Sequence, residues 1–256
     1  LAHLKRAQTE LSSLENSQER AEELEQEVQA LRAQAGEAAE ELSRQRQKHA
    51  RRLTEVVRRE LGNLGMGQAA FKVDFQRQED ASGLPLSDGR TYAAGPEGVE
   101  RVRFLFDAAG GDDPRPLSQV ASGGELSRLM LVFKTVCARG ADIPTLVFDE
   151  VDVGIGGLTA HAVGRKLQQL GQKAQVLCVT HLPQLASRAA QHFTVDRHIS
   201  RKRATVVVRL LQDEERIEEL ARMLGGRRDQ ESARKHAEQL LAEAEGERRA
   251  AGERAG

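Results

Sequence analysis

The sequence predicts an α/β domain, a mostly parallel sheet with flanking helices, joined to a long coiled-coil helix. Three observations lead there. Residues 1 to about 60 are drawn almost entirely from Ala, Glu, Gln, Arg and Leu, with no proline and one glycine, the composition of a long helix. Two short apolar runs, 145–148 and 176–179, flank a helical pattern, as in a β-α-β unit. Apolar residues at helical spacing also follow the glycine pair Gly123-Gly124. Domains are expected at 1–61 (arm), 62–246 (globular lobe) and 247–256 (disordered tail).

Charge excludes a strong global field: 38 basic and 39 acidic side chains leave a formal net charge of −1, so any nucleic-acid contact has to be a local patch. Cys137 and Cys178 sit in apolar runs, which reads as reduced core cysteines of a cytoplasmic protein and not as a disulfide framework. Apolar runs are only strand-length, so no spanning helix and no membrane partner are expected. The chain starts in mid-helix without a start signal, as a piece of something longer would.

Along the arm, Ala21, Leu24, Val28, Leu31, Ala35, Ala38 and Leu42 alternate in steps of three and four, the seam of a coiled coil. Leu4, Leu11 and Leu14 form an earlier block in another register, so a stutter is expected between them. At 1.5 Å per residue the helix is roughly 85 Å long and needs a partner helix to cover its stripe. The pattern stops at Leu61-Gly62-Asn63-Leu64-Gly65. Period two then appears at Phe71, Val73 and Phe75, and again at Val102, Phe104 and Phe106, with a Gly- and Pro-bearing stretch from Ser82 to Gly98 between them. Two strands are expected there.

The next helix starts at Gly123. Ser122 and Glu125 make an S-x-x-E capping box, and Leu126, Leu129, Met130, Phe133 and Val136 follow at helical spacing. Two glycines in the first turn remove side chains where backbone N–H groups emerge, which leaves room for a phosphate. Taken by itself this is a common helix start. Support comes from Thr145-Leu146-Val147-Phe148, a run expected to be buried on both faces, which ends in Asp149-Glu150. Successive strand residues point opposite ways, so one carboxylate can serve a metal and the other a water. A helix from about Leu158 to Leu170 leads to Val176-Leu177-Cys178-Val179, ending in Thr180-His181. Right-handed crossover puts both strand ends on one edge, where open α/β sheets bind ligands.

Farther on, Phe193–Ile199 and Ala204–Leu211 read as a hairpin around Arg201-Lys202-Arg203. Ile217, Leu220, Ala221 and Leu224 form a helix stripe before Gly225-Gly226, and Ala233, His236, Ala237, Leu240 and Leu241 form another, with His236 packed.

Ala121-Ser122-Gly123-Gly124-Glu125-Leu126-Ser127-Arg128 resembles the ABC signature motif, Leu146 to Glu150 a Walker B strand, Val151-Asp152-Val153-Gly154 a D-loop and Val179-Thr180-His181 an H-loop. They stand in family order. The arm resembles SMC-like proteins more than transporters. Thr180-His181-Leu182-Pro183-Gln184 and Glu219-Leu220-Ala221-Arg222-Met223-Leu224-Gly225-Gly226 are similar to the RecN family of bacterial DNA-repair ATPases. The likeness covers nearly all of residues 60 to 245. It implies the carboxy-terminal half of a P-loop NTPase head of ABC type, with ATP and Mg²⁺ as cofactors. Asp149 would hold Mg²⁺ through water, Glu150 would act as general base and His181 would contact the γ-phosphate. Ser122, Gly123, Gly124 and Glu125 would address ATP held by the opposite head, and Asp152 would couple the two sites. Implied partners are an amino-terminal lobe carrying Walker A, a second head in a homodimer, and DNA, at ends or single-stranded regions; the implied location is the cytoplasm, in association with the nucleoid.

No G-x-x-x-x-G-K-[ST] occurs in the chain, so it is expected to bind ATP poorly alone. Gly154-Ile155-Gly156-Gly157 departs from the Gly-Val-Ser-Gly-like family string. Arg51-Arg52, Arg58-Arg59 and Arg201-Lys202-Arg203 are the basic clusters available to DNA. Each is read first as solvated surface, because acidic residues interleave and aromatic stacking partners are scarce. Two further readings stand beside the first: a nucleotide-free tethering module, and an ATPase subunit of another SMC-like or ABC system.

Overall fold

A computed structural model describes residues 2–111, 113–120, 123–137, 144–200, 203–225 and 230–253, with side chains from residue 16 and excepting 198–200, 203–204 and 251–253. Ser122, Arg201, Lys202 and Gly226 lie outside the described residues, as do the side chains of Leu4, Leu11, Leu14 and Arg203. The chain forms two compact units, residues 1–54 with 72–105 and residues 55–71 with 106–256.

A single helix, α1 (Ala2–Asn63), runs the length of the arm. It stops where Gly65 adopts φ +74°, a left-handed turn that glycine takes without strain. In the first unit the strands are β1 (Ala70–Gln76), β2 (Glu79–Pro85), β3 (Thr91–Tyr92) and β4 (Arg101–Asp107), the ends of β1 and β4 passing into the second unit. The sequence hid β2 and β3, an antiparallel pair, inside the stretch rich in Gly and Pro. Ala39, Leu86, Tyr92 and Val99 make the apolar core of this unit. Beside it Oε1 of the buried Glu100 accepts from Ser43 Oγ at 2.5 Å and from Arg77 Nη2 at 2.9 Å, while Oε2 is buried without a hydrogen-bond partner among the described residues, so a charge removed from water is paired through one of its two oxygens. The arm's buried stripe here is Gly36, Ala39 and Ser43, whereas Ala35, Ala38 and Leu42, one residue away, are exposed with Leu24, Val28 and Leu31. One stripe of α1 thus packs on its own unit and the neighbouring one is left uncovered.

Gly83 permits β2 to meet β3: a Cβ there would overlap the carbonyl of Tyr92. Gly83→Ala is expected to destabilise this unit by about 1–3 kcal/mol, the usual cost of forced overpacking. Tyr92 is the only tyrosine in a chain without tryptophan, so its fluorescence reports the unit directly. The expected outcome is a lower urea midpoint for that signal; an unchanged midpoint would show that the strands can part at no cost.

The second unit contains β5 (Arg115–Pro116), a 3-10 turn at Leu117–Gln119, α2 (Gly123–Val136), β6 (Thr145–Phe148), α3 (Gly157–Leu170), β7 (Gln175–Cys178), α4 (Pro183–Ala186), β8 (His192–Ser200), β9 (Arg203–Leu211), α5 (Asp213–Met223) and α6 (Gln230–Glu253). Strand order is β1-β4-β5 in one sheet, with β6-β7 and β8-β9 as separate pairs. β6 and β7 are parallel and in register from Thr145↔Gln175 to Phe148↔Cys178, with α3 as the crossover. Val57, Leu61, Leu64, Phe106, Leu129, Leu131, Val132, Val151 and Val163 are fully or nearly fully buried. Ala186, Leu220 and Ala237 gather α4, α5 and α6 into a second cluster.

Several features of this unit differ from expectation. Val147, at 69% exposure, and Leu177 are open, so β6 and β7 are buried on one face and not two; a two-stranded sheet has little to cover the other side. Cys137 is exposed just past the end of α2, and Cys178 is half-buried; both are free thiols. His236 is exposed, with Ala237 taking the buried position beside it. Finally, α6 continues through the expected disordered tail as far as Glu253. Ala, Glu and Arg are strong helix formers, and Glu247 anchors the segment by an ion pair with the buried Arg188 at 2.6 Å.

Candidate functional site

Strand register assembles the site. β6 and β7 run side by side in the same direction, so the residues after Phe148 and after Cys178 leave the sheet at one edge. Asp149, Glu150 and His181 are all exposed there, His181 with 71% of its side chain accessible. The Asp149 side chain accepts the Glu150 N–H at 2.9 Å. Glu150 has φ +58°, a left-handed conformation that a non-glycine residue holds at a cost of about 1–3 kcal/mol and that concentrates at functional positions.

The start of α2 lies against this turn. A Cβ on Gly123 would overlap the Glu150 carboxylate, and one on Gly124 would press on the Glu150 carbonyl and on Val153 at 3.1 Å. At 123 the obstacle is the end of an exposed, flexible side chain that can swing aside, whereas at 124 it includes the Glu150 and Val153 carbonyls, so Gly124 is the position where the close approach needs a glycine. Ser127 Oγ donates to the Asp149 carbonyl at 2.9 Å. Arg128, buried, donates to the Val153 carbonyl at 2.8 Å and to the Val151 carbonyl at 3.4 Å. Burial pulls its pKa down while the charge of Glu125 pushes it up. Because guanidinium keeps its proton in proteins, those carbonyls receive charged donors.

Asp152, only 3% exposed, is bound within its own chain. Its Oδ2 accepts from Thr180 Oγ1 at 2.5 Å and from His181 N–H at 2.9 Å, and His181 Nδ1 lies 3.0 Å from the same oxygen. The turn after β6 is thereby tied to the turn after β7. Burial, with the charges of Asp152 and Asp149, pushes the Cys178 thiol up to about 12, so it stays protonated at neutral pH and is no nucleophile.

Among the described residues no group of three or more His, Cys, Asp or Glu is arranged to hold a metal. A lone carboxylate such as Asp149 is nonetheless enough for Mg²⁺, which keeps several waters and takes its other ligands from substrate phosphates.

Comparison with known proteins adds family membership. Over 219 residues the chain is 42% identical to the DNA repair protein RecN of Streptomyces coelicolor, covering 86% of this chain and 38% of that one. With the Bacillus subtilis RecN it shares 32% over 250 residues, 96% of this chain and 43% of the other, and with that of Treponema pallidum 39% over 241, 94% and 41%. The chain belongs to the RecN family. It spans about two fifths of the length of these relatives. No family model matches. An Smc head domain with an extended coiled coil from Pyrococcus furiosus is 15% identical, with a TM-score of 0.42 over 72% of this chain and 39% of that one, too remote to carry an argument.

In this RecN-family chain the edge of β6 and β7 therefore brings together Asp149, Glu150, Asp152 and His181, with Gly123, Gly124 and Glu125 on the helix beside it. Arg51, Arg52, Arg58 and Arg59 are exposed on α1. Two contributors are not evident from the motifs. Arg128 is a charged residue in line with Gly124 and Val132 on the buried stripe of α2, a signal that periodicity can detect. Thr180 carries no such local signal. Its bond to Asp152 spans 28 positions, and no local pattern points to such a pair.

Proposed function

We propose that this chain supplies one half of an ATP-hydrolysing site used in DNA repair, the other half coming from a lobe that carries a phosphate-cradling glycine loop. The observation that carries the reading is the shared edge: two exposed carboxylates and an imidazole follow adjacent parallel strands where these leave the sheet together. Glu150 takes a proton from the attacking water, His181 bonds a γ-phosphate oxygen, and Asp149 is the residue that would hold Mg²⁺. The ion supplies charge neutralisation for the phosphates. Gly123 and Gly124, with Ser122 and Glu125, present backbone N–H groups to a phosphate held by a second copy. In the chain as it stands, the Glu150 carboxylate lies at that helix start, so an arriving phosphate takes a place now held by another anion. Arg51, Arg52, Arg58 and Arg59, exposed on α1, are basic groups available to DNA. The sheet edge and the buried Asp152 that organises it favour this reading over a tethering module, which has no use for either.

Phosphate release tests it, measured with this chain, with a separately expressed lobe containing the glycine loop, and with both, each with and without DNA. Turnover is expected only in the mixture and is expected to rise with DNA. Absent turnover in the mixture, together with self-association indifferent to ATP, selects the tethering module instead.

A further inference from the structure

We propose that Asp152 is a positioning residue which fixes the tautomer and the orientation of His181. Two hydrogen bonds from one dipeptide, Thr180-His181, converge on a single oxygen of Asp152, and His181 Nδ1 lies 3.0 Å from that same oxygen. Neutral imidazole has one donor and one acceptor nitrogen, whereas an ionised carboxylate only accepts. The nitrogen facing Asp152, Nδ1, therefore carries the proton. Nε2 is left pointing away from Asp152 on a side chain that is 71% exposed. In neutral imidazole Nε2 accepts a hydrogen bond from a group such as a water; in imidazolium it donates to an anion such as a phosphate oxygen.

Two further features set Asp152 apart from an ordinary ion-pair partner. It is 3% exposed, and a buried carboxylate is costly unless its lone pairs are used. It also sits two residues after the strained Glu150, so the bonds that orient His181 hold the turn carrying Glu150 at a set distance from the end of β7. The resemblance to a D-loop implies that Asp152 acts across a dimer interface. To do so it would leave the interior and break both bonds, and its place in this chain is the inward one. The tautomer is a property of the chain itself; only the consequence for turnover rests on the ATP reading above.

The test is nuclear magnetic resonance of the 256-residue chain labelled with ¹⁵N-histidine, with the His181 signals assigned from His181→Gln. Long-range proton–nitrogen correlations show which ring nitrogen holds the proton. Wild type is expected to show protonated Nδ1 and bare Nε2 in the neutral ring. Asp152→Asn puts an amide donor beside Nδ1 and is expected to move the proton to Nε2. Thr180→Val, which keeps the carboxylate, should retain protonated Nδ1 and so separates loss of the acceptor from disturbance of the turn. In the reconstituted head Asp152→Asn should lower kcat about 10- to 100-fold with KM little changed, the loss coming from a ring no longer held in one orientation and not from the proton's new place on Nε2. Protonated Nε2 in the wild type, or an Asp152→Asn spectrum identical to wild type, overturns the proposal. An altered tautomer with unchanged kcat removes the positioning role. If wild-type heads fail to turn over ATP while the tautomers behave as stated, the ATP reading falls and the fixed tautomer stands.

Discussion

Glu150→Gln is expected to leave a head that binds ATP and does not turn it over. Glutamine keeps the size of the side chain and its ability to hydrogen-bond a water, but it has no basicity with which to remove the proton. A positioned general base contributes about 10² to 10⁴ in rate, or roughly 3–5 kcal/mol of barrier at 1.36 kcal/mol per tenfold. ATP binding depends mainly on the phosphate-cradling loop and Asp149, neither of which is altered. The amide also removes a negative charge from the start of α2, where helix dipoles favour anions, so association of ATP-bound copies should strengthen. Single-turnover assays of the reconstituted head, with nucleotide retained after rapid gel filtration, measure both halves. Phosphate release at the wild-type rate would remove Glu150 from the role of base, and equal loss of binding and turnover would make it a structural residue.

The largest stability effect is expected from Phe106→Ala. Phe106 is 1% exposed and the bulkiest of the fully buried side chains. Removing a buried phenyl ring costs the transfer free energy plus a cavity, about 3–5 kcal/mol, against a typical domain stability of about 5–15 kcal/mol. Val102, four residues earlier on β4, is 39% exposed, and Val102→Ala should cost less than about 0.5 kcal/mol. Denaturant midpoints followed by far-ultraviolet circular dichroism compare the two. Similar shifts for both would mean that burial along β4 does not set its energetics.

These two residues also mark the limit of the sequence reading. Alternation from Val102 to Phe106 located a strand, yet it implied one buried face, whereas only Phe106 is buried and Val102 stands open. Burial depends on what the rest of the chain lays over a strand, and period two is silent on that. The β6-α3-β7 unit was more legible, because apolar runs, a glycine stop after Leu170 and the Asp149-Glu150 pair are local signals; α3 spans Gly157–Leu170 where a helix from about Leu158 to Leu170 was expected. The hairpin of β8 and β9 is one or two residues longer at its ends than its periodicity indicated. Along α1 the seam from Ala21 to Leu42 was visible, but the stripe that packs on β2 and β3 contains Gly36, Ala39 and Ser43, small residues that carry little hydropathy signal. Within the site, residue types could be read and directions could not. Nothing local in Val151-Asp152-Val153 shows that Asp152 turns inward to Thr180 and His181, or that Glu150 takes a left-handed backbone.

The central claim is that Asp149, Glu150 and His181 face one nucleotide triphosphate, with the Gly123 helix reaching it from a second copy. A structure of the reconstituted Glu150→Gln head with ATP and Mg²⁺ measures this directly. The claim requires the residue-150 side chain and His181 within hydrogen-bond reach of the γ-phosphate or of its attacking water, about 2.6–3.2 Å. It also requires the partner's helix start to lie on the same phosphate. Nucleotide bound away from the β6 and β7 edge, or a γ-phosphate met by neither side chain, would contradict it.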